Sequence, residues 1–285
     1  MIKILAIGDF HGKFPEKLKK EIEKEKPDLI LGTGDYTGID EWRPWLKKAF
    51  KARERGKDIW VENLIGKARF KRLLKKDYAA GKVILKEINK LKVKTLSVFG
   101  NGDWYSWQYN RSNRDYKLLI RKLKYIKDIN RGKGNFKGLK FVGFGGYLDP
   151  DIYFTKKGRK AIFAKPGSEK RMRKRYKDWE KELMKLMKNK PDIMLIHYTP
   201  YRCLDKMKEK GFMLTGSPMG VSSYNRAIRK YKPALVVCGH MHENPGTCKI
   251  GKTIVINPGP AHDGKMAFIE FDEKKKKVGN VRFVK

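Results

Sequence analysis

Short, continuous apolar runs recur along the chain, each stopped by glycine, aspartate, asparagine or histidine. They are IKILAI at 2–7, LIL at 29–31, TLSVF at 95–99, FVGF at 141–144, IMLI at 193–196, ALVV at 234–237 and TIVI at 253–256. Runs this short, with no polar alternation, predict strands covered on both faces. Helical periodicity fills several of the gaps, over 14–26 and 224–231. Together these predict an α/β layered scaffold. A further pattern places Met172, Tyr176, Trp179, Leu183 and Met187 at steps of three and four after Ser168, a candidate N-cap. It predicts a helix with one apolar stripe, expected to pack against the scaffold rather than hold a cofactor.

At 285 residues and 40% apolar content the chain can close one large core. A single domain over 1–285 is expected, interrupted by insertions. No run approaches the roughly 18 apolar residues of a membrane span, and MIKILAIGDF leads into acidic sequence without a cleavage region. It reads as the first core strand of a cytoplasmic protein. Cys203, Cys238 and Cys248 form no C-x-x-C pair and cannot all pair with one another, so neither a disulfide framework nor a zinc ribbon is expected.

Charge changes the picture once it is located. The net charge is +37, and the segments 41–94, 104–140 and 150–190 carry +12, +9 and +10 of it. These basic stretches lie between predicted strands and read as insertions. A thermophile's ion-pair surface would raise glutamate alongside lysine, whereas here only the cations are raised. Such a surface attracts polyanions, which makes nucleic acid a candidate partner.

The strand ends collect the chemistry. GDFHG supplies Asp9 and His11, GDYTG supplies Asp35, FGNGDWY supplies Asn101 and Asp103, IHYTP supplies His197, and CGHMHE supplies His240 and His242. Asn-Gly is also a common hairpin turn, and one histidine at a strand end is ordinarily structural. Carboxylates, an amide and imidazoles all projecting from strand ends are not explained that way, because that is where open α/β sheets build their sites. Oxygen and imidazole donors suit Mn, Fe, Zn, Co or Ni, and this many groups suit two ions rather than one. Two ions sharing a carboxylate could turn water into a nucleophile and clamp a phosphoryl group, the chemistry of phosphoester hydrolysis.

The ordered series GDFHG, GDYTG, GNGD, IHYTP, GHMH and NPGPA resembles the calcineurin-like metallophosphoesterase superfamily, from Asp9 to Asp263. The resemblance implies a four-layer αββα sandwich, two mixed sheets flanked by helices, with a dinuclear site at the strand ends. It implies that Asp9, His11 and His242 bind one metal, that Asn101, His197 and His240 bind the other, and that Asp35 bridges them. Asp35, Asn101, Asp103 and His197 are the expected catalytic set.

The third motif departs from the family. Many members carry GNH followed by an acid, with the histidine over the metals helping protonate the leaving group; here Gly102 takes its place. General acid assistance is typically worth about 10²- to 10⁴-fold, so esters with poor leaving groups are the ones affected. Substitutes for the acid are Tyr198, His262 or the Trp104-Tyr105 loop. Trp104, Tyr105, Trp107 and Tyr109 interleave with Arg111 and Arg114. That mixture holds unstacked bases or anchors an insertion. Trp104, Tyr105 and Arg202 are accordingly the expected substrate contacts. The function this points to is a dinuclear phosphodiesterase on nucleotide or nucleic-acid substrates. The alternatives are a phosphomonoesterase or phosphoprotein phosphatase, or a catalytically weak nucleic-acid-binding protein on the same fold.

Overall fold

The computed structural model describes residues 1–103, 113–162 and 167–284, with the backbone alone for 113–117. Strands β1 (Ile2–Ile7), β2 (Leu29–Gly32), β3 (Thr95–Ser97) and β4 (Ile126–Asp128) run parallel to one another. A second sheet holds β5 (Gly132–Phe136), β6 (Leu139–Phe144), β7 (Ile193–Ile196), β8 (Leu235–Val237), β9 (Gly246–Ile250) and β10 (Thr253–Asn257), in the order β5-β6-β7-β8-β10-β9. The chain then returns to the first sheet as β11 (Met266–Asp272) and β12 (Lys277–Val284), both antiparallel to their neighbours, completing the order β12-β11-β1-β2-β3-β4.

The continuous apolar runs follow from this layering. Alternate residues of a strand face opposite sides. Ile2, Ile4 and Ala6 of β1 meet Ile193, Leu195, Leu235 and Val237 of the other sheet in one inter-sheet core. Leu5 and Ile7 point the other way, onto Leu18 and Ile22 of α1 (Glu16–Glu25) and onto Ile84, Leu85 and Ile88 further along the chain. Both faces are covered along most of the strand; Lys3 near its start is the exception, partly exposed and paired with Glu25.

Four helices occupy the first part of the chain's long crossovers: α2 (Arg43–Glu54), α3 (Val61–Ile65), α4 (Lys67–Lys90) and the single turn α5 (Asn101–Asp103). Ile39, Trp42, Ala49, Val61, Phe70 and Leu74 give α2, α3 and the start of α4 a small core of their own, while the end of α4 joins the main scaffold. After α6 (Asn113–Lys122) and α7 (Lys156–Ile162), α8 (Ser168–Met187) and α9 (Ser222–Tyr231) cover the outer face of the second sheet. The α8 stripe packs as its spacing predicts: Met172, Leu183 and Met187 are buried, with Tyr176 and Trp179 partly so. Leu183 and Met187 each contribute about 1.5–3 kcal/mol by that burial. The architecture is the expected αββα sandwich.

Three expectations are corrected. Within the stretch expected as a second insertion, 126–128 and 132–136 are strands of the two sheets. Gly167 rather than Ser168 is the N-cap of α8, so Ser168 is its first helical residue and makes no side-chain cap. Cys203 and Cys248 form a disulfide, leaving Cys238 buried and free. The fold brings together two cysteines that are 45 residues apart by returning β9 to the sheet edge beside the loop after β7, which spacing alone could not reveal. No helix among the described residues is long and apolar enough to cross a membrane.

Candidate metal centre

Parallel neighbours align the C-terminal ends of β1, β2 and β3 in one sheet and of β7, β8 and β10 in the other. The loops leaving these ends turn sharply. Asp9, His11, Asp35 and His240 all adopt positive φ, 54°, 47°, 53° and 69°. Side chains other than glycine rarely sit there, and such strain concentrates at functional sites. Backbone hydrogen bonds hold it: Asp9 N donates to Gly34 O at 2.8 Å and Phe10 N to Asp35 O at 2.8 Å. The chain also comes close enough to itself to demand glycine. A Cβ on Gly100 would lie 1.9 Å from Asp35 Oδ1, and one on Gly34 would lie 2.2 Å from Gly100 N.

Two groups of side chains converge there. Ligand atoms of Asp9, His11 and His242 lie within 4.8 Å of one another, as do those of Asp9, Asp35 and His197. Asp9 thus belongs to both. Asp35 Oδ2 stands 3.6 Å from His197 Nε2 and 3.9 Å from His11 Nε2, between the two groups, while Oδ1 accepts from Gly102 N at 2.7 Å. Asn101 Oδ1 lies 2.9 Å from His197 Nε2. The His240 ring packs 5.1 Å from that of His197, and its backbone N–H donates to the Asp9 carboxylate.

The donor chemistry fits divalent cations. Gly38 O accepts from His11 Nδ1 at 2.9 Å, and Thr33 O from His197 Nδ1 at 2.8 Å. A carbonyl only accepts, so each imidazole is the Nδ1–H tautomer with a bare lone pair on Nε2. Burial pushes the His11 pKa down to about 3 and lowers that of His197, so both rings are neutral. The bare Nε2 of His11 lies 3.1 Å from His242 Nε2, a nitrogen whose protonation the Asp9 carboxylate favours, while that of His197 faces the Asn101 amide oxygen, acceptor against acceptor. Two buried carboxylates complete the cluster. Burial, then the charge of Asp9, raises Asp35 to about 8. Burial also acts to raise Asp9, but hydrogen bonding and attraction from His242 outweigh it and hold that carboxyl well below the usual range. Facing lone pairs and paired carboxylates are costly to bury alone and favourable around positive ions.

Asp103 takes a different place from the one expected. It is fully buried, belongs to neither group, and accepts from Asp35 N (2.7 Å), Gly100 N (2.9 Å), Thr37 N (3.0 Å) and Thr37 Oγ1 (3.1 Å). It braces the backbone that presents Asp35 and Asn101. Beside it, Gly102 has its own constraint: a Cβ would lie 3.1 Å from Asp35 Oδ1, close but not overlapping.

Trp104, Tyr105, Trp107, Tyr109 and Arg111 lie outside the described residues, as does the side chain of Arg114. Arg202 sets its guanidinium 5.3 Å from the Tyr201 ring centroid. The Tyr198 ring packs 4.1 Å from that of His240, and burial keeps its hydroxyl protonated. Asn257 donates to Met241 O and fixes the loop bearing His240 and His242. His262 stands closest to the first group, its ring 5.0 Å from His11 and 5.3 Å from His242. Two contributors had no sequence signal. Arg43 Nη2 reaches His262 Nε2 at 3.1 Å. Asp77, buried on α4, accepts from Gly38 N and Ile39 N at 2.6 and 2.9 Å, steadying the loop whose carbonyl orients His11.

A strand-end cluster of carboxylates, imidazoles and an amide between two mixed sheets is of the kind that could hold divalent metal ions. The family comparison agrees: the model for metallophosphoesterases of the calcineurin superfamily matches residues 1–281, and the chain belongs to that family. It is 26% identical over 283 residues to the uncharacterized protein MJ1162 of Methanocaldococcus jannaschii, covering 97% of this chain and 94% of that one. One crystal structure superposes with a TM-score of 0.63 at 20% identity, covering 99% of this chain and 97% of the other. TT1561 of Thermus thermophilus superposes with a TM-score of 0.54 at 18% identity, covering 99% and 98%. At these identities the structures establish the fold alone.

Proposed function

We propose that the protein is a dinuclear metal-dependent phosphoesterase, and within that class a phosphodiesterase on nucleotide or nucleic-acid substrates. The observation that carries the reading is the pair of ligand groups sharing Asp9, with Asp35 Oδ2 within 3.6 and 3.9 Å of a histidine from each. Asp9, His11 and His242 would hold one ion, Asn101, His197 and His240 the other, and Asp35 would bridge. Mn, Fe, Zn, Co and Ni all suit these donors. When bound, the ions supply a nucleophile from water at neutral pH and neutralise charge on the phosphoryl group.

The chain's own part is preorganisation. Gly38 and Thr33 carbonyls fix the imidazoles of His11 and His197, which would then hold the ions, and Gly102 N–H orients Asp35. Gly102 brings no imidazole, which favours diesters with good leaving groups over esters that need a proton donor. The excess cations of the insertions supply attraction for a polyanionic substrate. Gly102 also favours a second reading, a catalytically weak nucleic-acid-binding protein. A cytoplasmic setting belongs to the proposal. A bridge such as Cys203–Cys248 is uncommon there outside hyperthermophiles and redox-active proteins.

Purified protein with Mn²⁺ is expected to hydrolyse bis(4-nitrophenyl) phosphate, and Asp35→Asn to abolish the activity. Absence of hydrolysis with every divalent ion named above overturns the catalytic reading. A preference for 4-nitrophenyl phosphate overturns the diester assignment in favour of a monoesterase. Salt-dependent DNA or RNA binding without turnover supports the binding protein.

A further inference from the structure

The first ligand group is the more open of the two. The side chain of His242 is 30% exposed, whereas that of His197 is fully buried. The half-exposed guanidinium of Arg43, from the first turn of α2, stands beside that opening. Nothing in the motifs singles Arg43 out, because it lies in an inserted segment.

Its setting is built rather than incidental. His262 Nδ1 donates to the Asp9 carbonyl at 2.9 Å, so its proton is on Nδ1 and its Nε2 lone pair is free. Arg43 Nη2 donates to that lone pair at 3.1 Å. Asp263 Oδ1 lies 3.3 Å from the same nitrogen, and a neutral ring facing a carboxylate oxygen needs a donor such as the guanidinium beside it. Arg43 Nε pairs with Asp40 Oδ1 at 3.2 Å, and Asp40 in turn pairs with Lys13. These contacts engage two of its three nitrogens and leave donors of a planar fork unassigned.

We propose that Arg43, positioned by His262, grips a non-bridging oxygen of the substrate's phosphoryl group at the edge of the first ligand group, supplying from the insertion the phosphate contact that Gly102 cannot make. This rests on the phosphoesterase reading. A guanidinium suits the task because it is always charged and presents parallel donors to a tetrahedral anion. It is a charge-stabilising contact and donates no proton to the leaving group, so the preference for good leaving groups stands.

Calorimetric titration of inorganic phosphate into the Mn²⁺-loaded protein tests it without requiring turnover. Arg43→Ala is expected to weaken phosphate binding about tenfold or more, the range of a hydrogen bond to a charged group, with Mn²⁺ affinity unchanged. Arg43→Lys is expected to recover only part of the loss, and full recovery overturns the need for the fork. His262→Ala is expected to weaken phosphate binding less than Arg43→Ala and to add nothing in the double variant. Additive losses overturn the assignment of His262 as the residue that positions Arg43. Arg43→Ala protein that binds phosphate within about twofold of wild type overturns the proposal, as does Mn²⁺-loaded wild type that binds no phosphate. Wild-type protein that binds phosphate through Arg43 yet cleaves no ester leaves this inference standing and removes only the catalytic reading.

Discussion

Asp103 offers a test that separates a structural brace from a reacting group. Its two oxygens accept four hydrogen bonds, from Asp35 N and Gly100 N on Oδ2 and from Thr37 N and Oγ1 on Oδ1. Asparagine has the same shape but one acceptor. Its better orientation keeps the oxygen beside Asp35 N and Gly100 N and puts the amide nitrogen where Oδ1 was. The Thr37 hydroxyl can rotate to accept from that nitrogen, but Thr37 N–H is left facing a donor. One stranded, buried N–H costs about 1–3 kcal/mol. Asp103→Ala strands three backbone N–H groups, about 3–9 kcal/mol at the same rate, against a typical total stability of about 5–15 kcal/mol. Urea unfolding of the metal-free protein should therefore place Asp103→Asn about 1–3 kcal/mol below wild type and Asp103→Ala near the limit of folding. Calorimetry should find Mn²⁺ affinity reduced in the same order, because Asp35 loses its backbone anchor. The reasoning fails if Asp103→Ala unfolds within about 0.5 kcal/mol of wild type. Lost hydrolysis without lost stability would instead make Asp103 a reacting group.

Two further expectations concern pH and the disulfide. In the metal-free fold Asp103 is raised to about 7 and Asp35 to about 8, each by burial and then by a neighbouring carboxylate. Between about pH 4, where these groups titrate when unfolded, and pH 8 the native state therefore binds more protons, so their contribution to stability falls as pH rises. Melting in EDTA should show wild type losing ground to Asp35→Asn across that window, with Mn²⁺ removing the difference; parallel profiles would refute it. The Cys203–Cys248 bridge closes a loop across a separation of 45 residues, which in the chain-entropy account is worth about 4 kcal/mol. Cys248→Ser should lower unfolding stability by an amount of that order, and no change in the denaturation midpoint would count against the bridge.

What was legible in the sequence was whatever sat at the end of a doubly buried strand. β1 and β7 match the runs IKILAI and IMLI residue for residue, because both faces of those strands are covered and only the partly exposed Lys3 breaks their apolar character. Their following loops carry Asp9, His11 and His197, whose residue types announce the chemistry. β5, GKGNF, and β9, GTCKI, pair on one side only in the second sheet and carry glycine and lysine, so no apolar run marks them. β11, MAFIEFD, is largely apolar yet ends in no ligand, and no strand-end signal drew attention to it. Arg43 and Asp77 were invisible for another reason. Each reaches the site across a long sequence gap, 219 residues from Arg43 to His262 and 39 from Asp77 to Gly38, and neither separation corresponds to a local pattern.

The Asp77 contact means that the inserted helices are not a detachable module. Asp77 sits mid-helix on α4, and its Oδ1 holds the amides of Gly38 and Ile39, whose loop carbonyl in turn fixes the proton on His11. Trimming the chain to a minimal sandwich would thus release an imidazole of the first ligand group, and grafting another cap would need an acceptor at the same height on its helix. Diversification of this region is channelled to the solvent side of α4, where Lys71, Lys75 and Lys86 can change without disturbing that anchor.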